Sequence, residues 1–235
     1  MSMPKFFVVA TPIGNRKDIS QRAIEVLNKV DLILCEDTRV SKKLLNFYQI
    51  KTPLLPYHQH SKLKKINIIF EHLKKGKDLA LISDAGTPGI CDPGGKLIEF
   101  IVKNLPDIEI ISIPGASALT ATISISGFDM QRFLFLGYPP KKKKRNKFLE
   151  KIKKSEFPVV IFESKFQILR TLQDIADVLG DKRKIFIARE LTKIFEETFR
   201  GTVSQAIERL KNKKPRGEYT IIIATNNQRQ ATSNA

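Results

Sequence analysis

Short apolar runs alternate with amphipathic stretches through the first half of the chain. Residues 6–10 (FFVVA), 31–35 (DLILC), 79–82 (LALI) and 108–113 (IEIISI) have the length and apolar composition of buried strands. A helix is predicted over 20–27, where Ala23, Ile24 and Leu27 fall at helical spacing behind Ser20, a good N-cap residue. Further helices are expected at about 41–48, over 66–75 with Gly76 as its C-cap, and near 96–104. This βαβα order predicts an α/β fold whose first part is a mostly parallel sheet covered by helices.

The second half carries the same kinds of segment in a less regular order. The small-residue stretch 116–126 reads as a helix leading out of the first domain. Residues 133–136, 159–162, 184–188 and 219–224 read as strands, with helices over 168–179, ahead of Gly180, and over 203–210. We place the domains at 1–116 and 117–225. Residues 226–235 are polar and aperiodic, and are expected to form a flexible tail.

Composition narrows the class. At 235 residues the chain can bury a sizeable core without staples, and 42% hydrophobic residues beside 28% charged is a folded rather than a disordered balance. Two cysteines, Cys35 and Cys91, make no disulfide framework. No apolar run is long enough for a membrane span or a secretory leader, so a soluble cytoplasmic protein is expected. The net charge of +17 points to a polyanionic partner. Its densest source is Lys141, Lys142, Lys143, Lys144 and Arg145, followed by Lys147; these are the candidate nucleic-acid contacts. Lys211, Lys213, Lys214 and Arg216 form a second group.

Three predicted strands end in glycine-containing loops: TPIGN at 11–15, SDAGTPG at 83–89 and PGASA at 114–118. Small residues there let backbone amides approach a ligand, and ligands of open α/β sheets bind beyond the carboxyl ends of the strands. Neither a G-x-G-x-x-G nor a G-x-x-x-x-G-K-[ST] spacing is present, which argues against a dinucleotide dehydrogenase and a P-loop ATPase. Glu36, Asp37 and Arg39 follow a strand directly and could handle a proton or hold a polar substrate. His58 and His60 form an H-x-H pair with no evident third ligand, so no metal site is expected. No nucleophile constellation is present, which favours group transfer from a cofactor that brings its own reactive group.

Together with CEDTR (35–39), YHQH (57–60), IPGASAL (113–119), FES (162–164), ARELTK (188–193) and GEYTIII (217–223), these loops resemble the tetrapyrrole methylase family of S-adenosylmethionine-dependent methyltransferases. The likeness spans residues 4–225. SDAGTPG combined with EDTR resembles the branch that methylates the ribose 2′-hydroxyl of a cytidine in the decoding region of small-subunit ribosomal RNA. The porphyrin-precursor enzymes of the family carry a GGDP-type loop instead.

The resemblance implies a two-domain α/β protein with a mixed second domain, a homodimer, and S-adenosylmethionine in the cleft between domains. Matched motif by motif, the cofactor contacts would be Ile13, Ala85, Gly86, Thr87, Ile90, Ser117, Ala118, Glu163 and Leu191. Glu36, Asp37 and His58 would be candidate bases, and Arg39 would hold phosphate or polarise the hydroxyl. The partner would be ribosomal RNA, free or in the small subunit. After Glu163-Ser164 the branch continues Pro-His-Arg, whereas this chain has Lys165-Phe166-Gln167, which puts any RNA role of that segment in question. The alternatives are a small-molecule tetrapyrrole methylase, disfavoured by the basic block, and a non-catalytic RNA-binding assembly factor, disfavoured by the intact loops.

Overall fold

A computed structural model describes residues 4–58, 63–211 and 215–225. His60, Lys213, Lys214 and the predicted tail lie outside the described residues. The chain divides into two compact units, Met1–Ser117 and Ala118–Ala235.

The first unit contains β1 (Lys5–Val9), α1 (Gln21–Lys29), β2 (Leu32–Cys35), α2 (Thr38–Phe47), β3 (Leu54–Pro56), α3 (Leu63–Lys74), β4 (Leu79–Leu81), α4 (Gly94–Asn104) and β5 (Glu109–Ile113). The strands form one sheet in the order β3-β2-β4-β1-β5, every pairing parallel. The inner strands β2 and β4 read as continuous apolar runs because both faces are covered. Phe6, Val8, Leu32, Leu34, Leu79 and Leu81 pack with Ile69 and Leu73 of α3 and Leu97 and Ile101 of α4. The alternate positions Val9, Ile33, Cys35 and Ala80 pack with Ala23 and Leu27 of α1 and Leu45 of α2. The period of two along each strand thus assigns one helix pair to each face. Ser20 caps α1 by accepting from the Ala23 N–H, as its position predicts.

The second unit contains α5 (Ala118–Ser124), β6 (Leu134–Gly137), α6 (Arg145–Lys153), β7 (Val159–Ser164), α7 (Ile168–Leu179), β8 (Lys184–Arg189), β9 (Glu197–Thr202), α8 (Val203–Lys211) and β10 (Glu218–Ile223). Its sheet runs β6-β7-β10-β8-β9 and is mixed: β6 and β7 are parallel, the other pairs antiparallel. Val159, Ile161, Ile185, Ile187, Ile221 and Ile223 face α6, α7 and α8 across a single core. The sheets and the two-unit α/β architecture agree with the expected fold class. Two elements of this unit, α6 and β9, were absent from the sequence expectation, and α5 is shorter than the predicted 116–126 helix. Among the described residues, no helix is long and apolar enough to cross a membrane.

Candidate functional site

Parallel pairing brings the carboxyl ends of β1, β2, β4 and β5 to one edge of the first sheet, and the loops that leave them are bonded to one another. Thr11, after β1, exchanges both backbone hydrogen bonds with Gly86, after β4: Thr11 N–H donates to Gly86 O at 2.9 Å and Gly86 N–H to Thr11 O at 3.0 Å. The Thr11 hydroxyl donates to Ser83 O at 3.1 Å, and the Ser83 hydroxyl to Gly86 O at 3.0 Å. The Thr87 hydroxyl ties the same loop to the one after β5 through Ala116 O at 3.2 Å. The Asp37 N–H, after β2, donates to Asp84 Oδ1 at 3.0 Å. Four sequence-distant loops therefore form one braced surface.

Glycine makes the bracing possible. Gly86 has φ of +82°, and a methyl group there would stand 3.3 Å from Ile13 Cγ2 and 3.6 Å from the Ala116 carbonyl oxygen. At Gly115 the added carbon would lie 3.0 Å from the Ala10 Cβ. Beyond Gly86 the loop is held by Asp92, whose Oδ1 accepts from the N–H groups of Gly89 and Gly94 at 2.8 and 2.7 Å.

Beside this surface lies a crowd of acids. Glu36 and Asp92 line a small cavity with Tyr57, Ser83 and Pro88. Burial, and then the charges of Asp84, Asp92 and Asp37, push the Glu36 carboxyl above the ordinary carboxylate range. Asp84 is raised too, by burial first and also by the Asp37 charge, while the hydrogen bond from the Asp37 N–H and the charge of His58 pull it the other way. Asp37 behaves oppositely. It is the N-cap of α2, accepting from the Arg39 N–H at 2.8 Å, and its carboxylate grips the Arg39 guanidinium at 2.6 Å. Those Arg39 hydrogen bonds lower it to about 2.

In the second unit, the carboxylate of the buried Glu163 accepts from the Thr171 hydroxyl at 2.5 Å and from the Ser164 N–H at 2.7 Å. Arg145 donates to Thr171 Oγ1 at 2.9 Å, to Asp174 Oδ2 at 2.5 Å and to Pro140 O at 3.0 Å. Leu191 is buried and follows β8.

The chain matches the family of tetrapyrrole (corrin/porphyrin) methylases over residues 5–207. It belongs to that family. It is similar to ribosomal RNA small subunit methyltransferase I of Thermotoga maritima, 46% identical over 94% of this chain and 99% of the relative. The enzyme of the same name from Synechocystis is 42% identical over 93% of this chain and 78% of its own length. Among solved structures, the cobalamin biosynthetic enzyme cobalt precorrin-4 methyltransferase superposes with a TM-score of 0.69, at 15% identity, over 94% of each chain. That likeness is one of fold.

The tetrapyrrole methylase braced surface contains Ile13, Ala85, Gly86 and Thr87, with Ile90 further along the same loop and Ser117 just after Ala116. Ala85 is exposed, Thr87, Ile90 and Ser117 are half-buried, and Ile13 is buried under Gly86. Ala118, Glu163 and Leu191 belong to the second unit. Glu36, Asp37 and Arg39 stand at the same sheet edge, and exposed His58 acts electrostatically on Asp84. One expectation is corrected. Arg145 is not part of the solvent-facing basic run: it is 5% exposed and its guanidinium is committed to Thr171, Asp174 and Pro140. Lys141, Lys142, Lys143, Lys144 and Lys147 are exposed. Sequence reasoning missed Asp84 and Asp92 as members of the acid cluster. Their signal was the position of both in the loop that follows β4.

Proposed function

We propose that the chain transfers a methyl group from S-adenosylmethionine to the 2′-hydroxyl of a cytidine ribose in the decoding region of small-subunit ribosomal RNA. The observation that carries this reading is the 46% identity to a ribosomal RNA small subunit methyltransferase I across nearly both whole chains. The proposal includes a cytoplasmic homodimer that meets its RNA free or in the small subunit.

The residues present fit the cofactor. The glycine loops form a cradle that a Cβ at Gly86 would fill, and they offer backbone groups beside the apolar Ile13. Ile13, Ala85, Gly86, Thr87, Ile90 and Ser117 would hold it. When bound, it supplies an electrophilic methyl group on a sulfonium. The chain's own task is to orient the ribose hydroxyl and accept its proton, with positioning as a large part of the rate. Glu36 suits proton acceptance because its raised pKa gives a stronger base than an ordinary carboxylate. Asp37, held near 2 by Arg39, instead fixes the loop and presents the guanidinium. Arg39 is exposed and can meet a phosphate.

The test is methyl transfer from labelled S-adenosylmethionine to unmodified small ribosomal subunits, with free ribosomal RNA and uroporphyrinogen in parallel. Labelled 2′-O-methylcytidine supports the proposal. Label in the porphyrin alone overturns it.

A further inference from the structure

The segment that follows β7 leaves a large aromatic ring in solvent. Phe166 is 80% exposed, directly after β7, and the Lys165 ammonium lies 5.0 Å from its ring centroid. Four residues on, in the first turn of α7, Arg170 Nη1 donates to the backbone oxygen of Lys141 at 3.0 Å. That bond fixes the beginning of the 141–144 lysine run against the end of the helix that Phe166 precedes. The run's other anchor is Arg145, bonded to Pro140 O and to α7 through Asp174 and Thr171. Four exposed lysines are thus held as a structured loop beside an exposed aromatic, and not as a free tail.

The chain entering this loop brings a second ring. Tyr138 is 48% exposed and rests against Phe162 of β7, with centroids 5.6 Å apart; Phe162 in turn meets Phe135 at 5.0 Å. Glu163 faces α7, so strand alternation turns Phe162 to the opposite side of the sheet. Lysines that track phosphates, interleaved with rings that accept any base face, are the physical requirements for holding single-stranded nucleic acid. Another exposed apolar pair, Ile194 and Phe195, sits in a turn shared with Glu190 and Glu196, where acids oppose phosphate. Charge complementarity therefore favours the Phe166 surface over that turn.

We infer that Phe166 stacks on an unpaired nucleobase of the RNA substrate while Lys141–Lys144 hold the adjoining phosphates. This inference rests on the RNA reading above. It assigns Lys165-Phe166 a recognition role.

The experiment compares wild type, Phe166→Ala and Phe166→Trp for binding to a labelled single-stranded RNA and to a duplex of equal length, across a salt series. Sedimentation of each protein and methylation of small subunits by wild type run alongside. Phe166→Ala is expected to bind the single strand about tenfold more weakly, with duplex affinity and salt slope unchanged, and Phe166→Trp to retain binding. Wild-type single-strand affinity in Phe166→Ala overturns the inference. A shift of sedimentation with RNA affinity intact also overturns it, and makes the surface a contact between copies of this chain. If wild type itself neither binds RNA nor methylates subunits, the RNA reading fails; if it methylates and Phe166→Ala binds normally, only the stacking site does.

Discussion

A left-handed backbone at Gly86, with Ile13 and the Ala116 carbonyl packed around it, leaves a side chain no comfortable place. Gly86→Ala adds a methyl in a conformation that costs an L-residue about 1–2 kcal/mol, and it presses the first and third loops apart. Chemical denaturation is expected to show that loss, and calorimetric titration a weaker affinity for S-adenosylmethionine. Full affinity in the variant would detach this loop from the cofactor. Glu36 carries a different prediction. Burial and three acidic neighbours hold its pKa above that of the unfolded chain, so the protonated form suits the fold better than the ionised one. The stability it contributes is present at acid pH and is lost as pH rises through the raised pKa. Glu36→Gln, permanently neutral, is expected to melt at a higher temperature than wild type at neutral pH and to lose methyl transfer. Thermal melts over a pH series check this: the two curves should converge toward acid pH. A Gln variant that is less stable at neutral pH, or fully active, removes Glu36 from the role of base.

Helix α6 starts at an unusual junction. Lys144, its N-cap, has φ of +70° and makes no capping side-chain bond, while Arg145 beside it is buried. Lys144→Gly relieves the left-handed conformation and is expected to stabilise the chain by about 1 kcal/mol in urea unfolding. Arg145→Met keeps the apolar stem but leaves Asp174 and Thr171 without their donor. Because Asp174 is partly exposed, solvent recovers some of the loss, and about 2 kcal/mol of destabilisation is expected. The opposite signs at adjacent basic residues would separate the loop from its anchor. In the sequence these two positions look alike, because nothing local announces partners 26 and 29 residues away. The same limit explains the elements that went unseen. In the first sheet, β2 and β4 are legible because both their faces are buried, which makes them continuous apolar runs, whereas the short, half-buried edge strand β3, LLP, went unread. Edge strand β9, ETFRGT, carries polar residues on a half-covered ladder, and the apolar face of α6 (Phe148, Leu149, Ile152) is diluted by lysines. At the site, glycines and acids just past strand ends were legible from residue type and order. The bonds joining Thr11 to Gly86 and Asp37 to Asp84 are tertiary, and no spacing encodes them.

For the whole molecule, the net charge of +17 does two separable things. It creates a long-range field that attracts any polyanion, and it supplies local cations that can displace counterions from phosphates. Changing Lys141–Lys144 to Ala removes one exposed cluster and leaves most of the net charge in place. If these lysines meet phosphates, the slope of log affinity against log salt for single-stranded RNA should fall in magnitude by up to about 3, at roughly 0.7 per phosphate. Arg145 stays in the variant, so its network with α7 persists and thermal stability should be close to wild type. Association rates at low salt should fall much less than the slope, since steering depends on the whole charge distribution. Binding measured at several salt concentrations, with a stopped-flow association series, distinguishes the two effects. An unchanged slope would mean that the phosphates are held elsewhere and that the 141–144 loop is a solvated surface; a collapsed association rate with an unchanged slope would assign the cluster to steering alone.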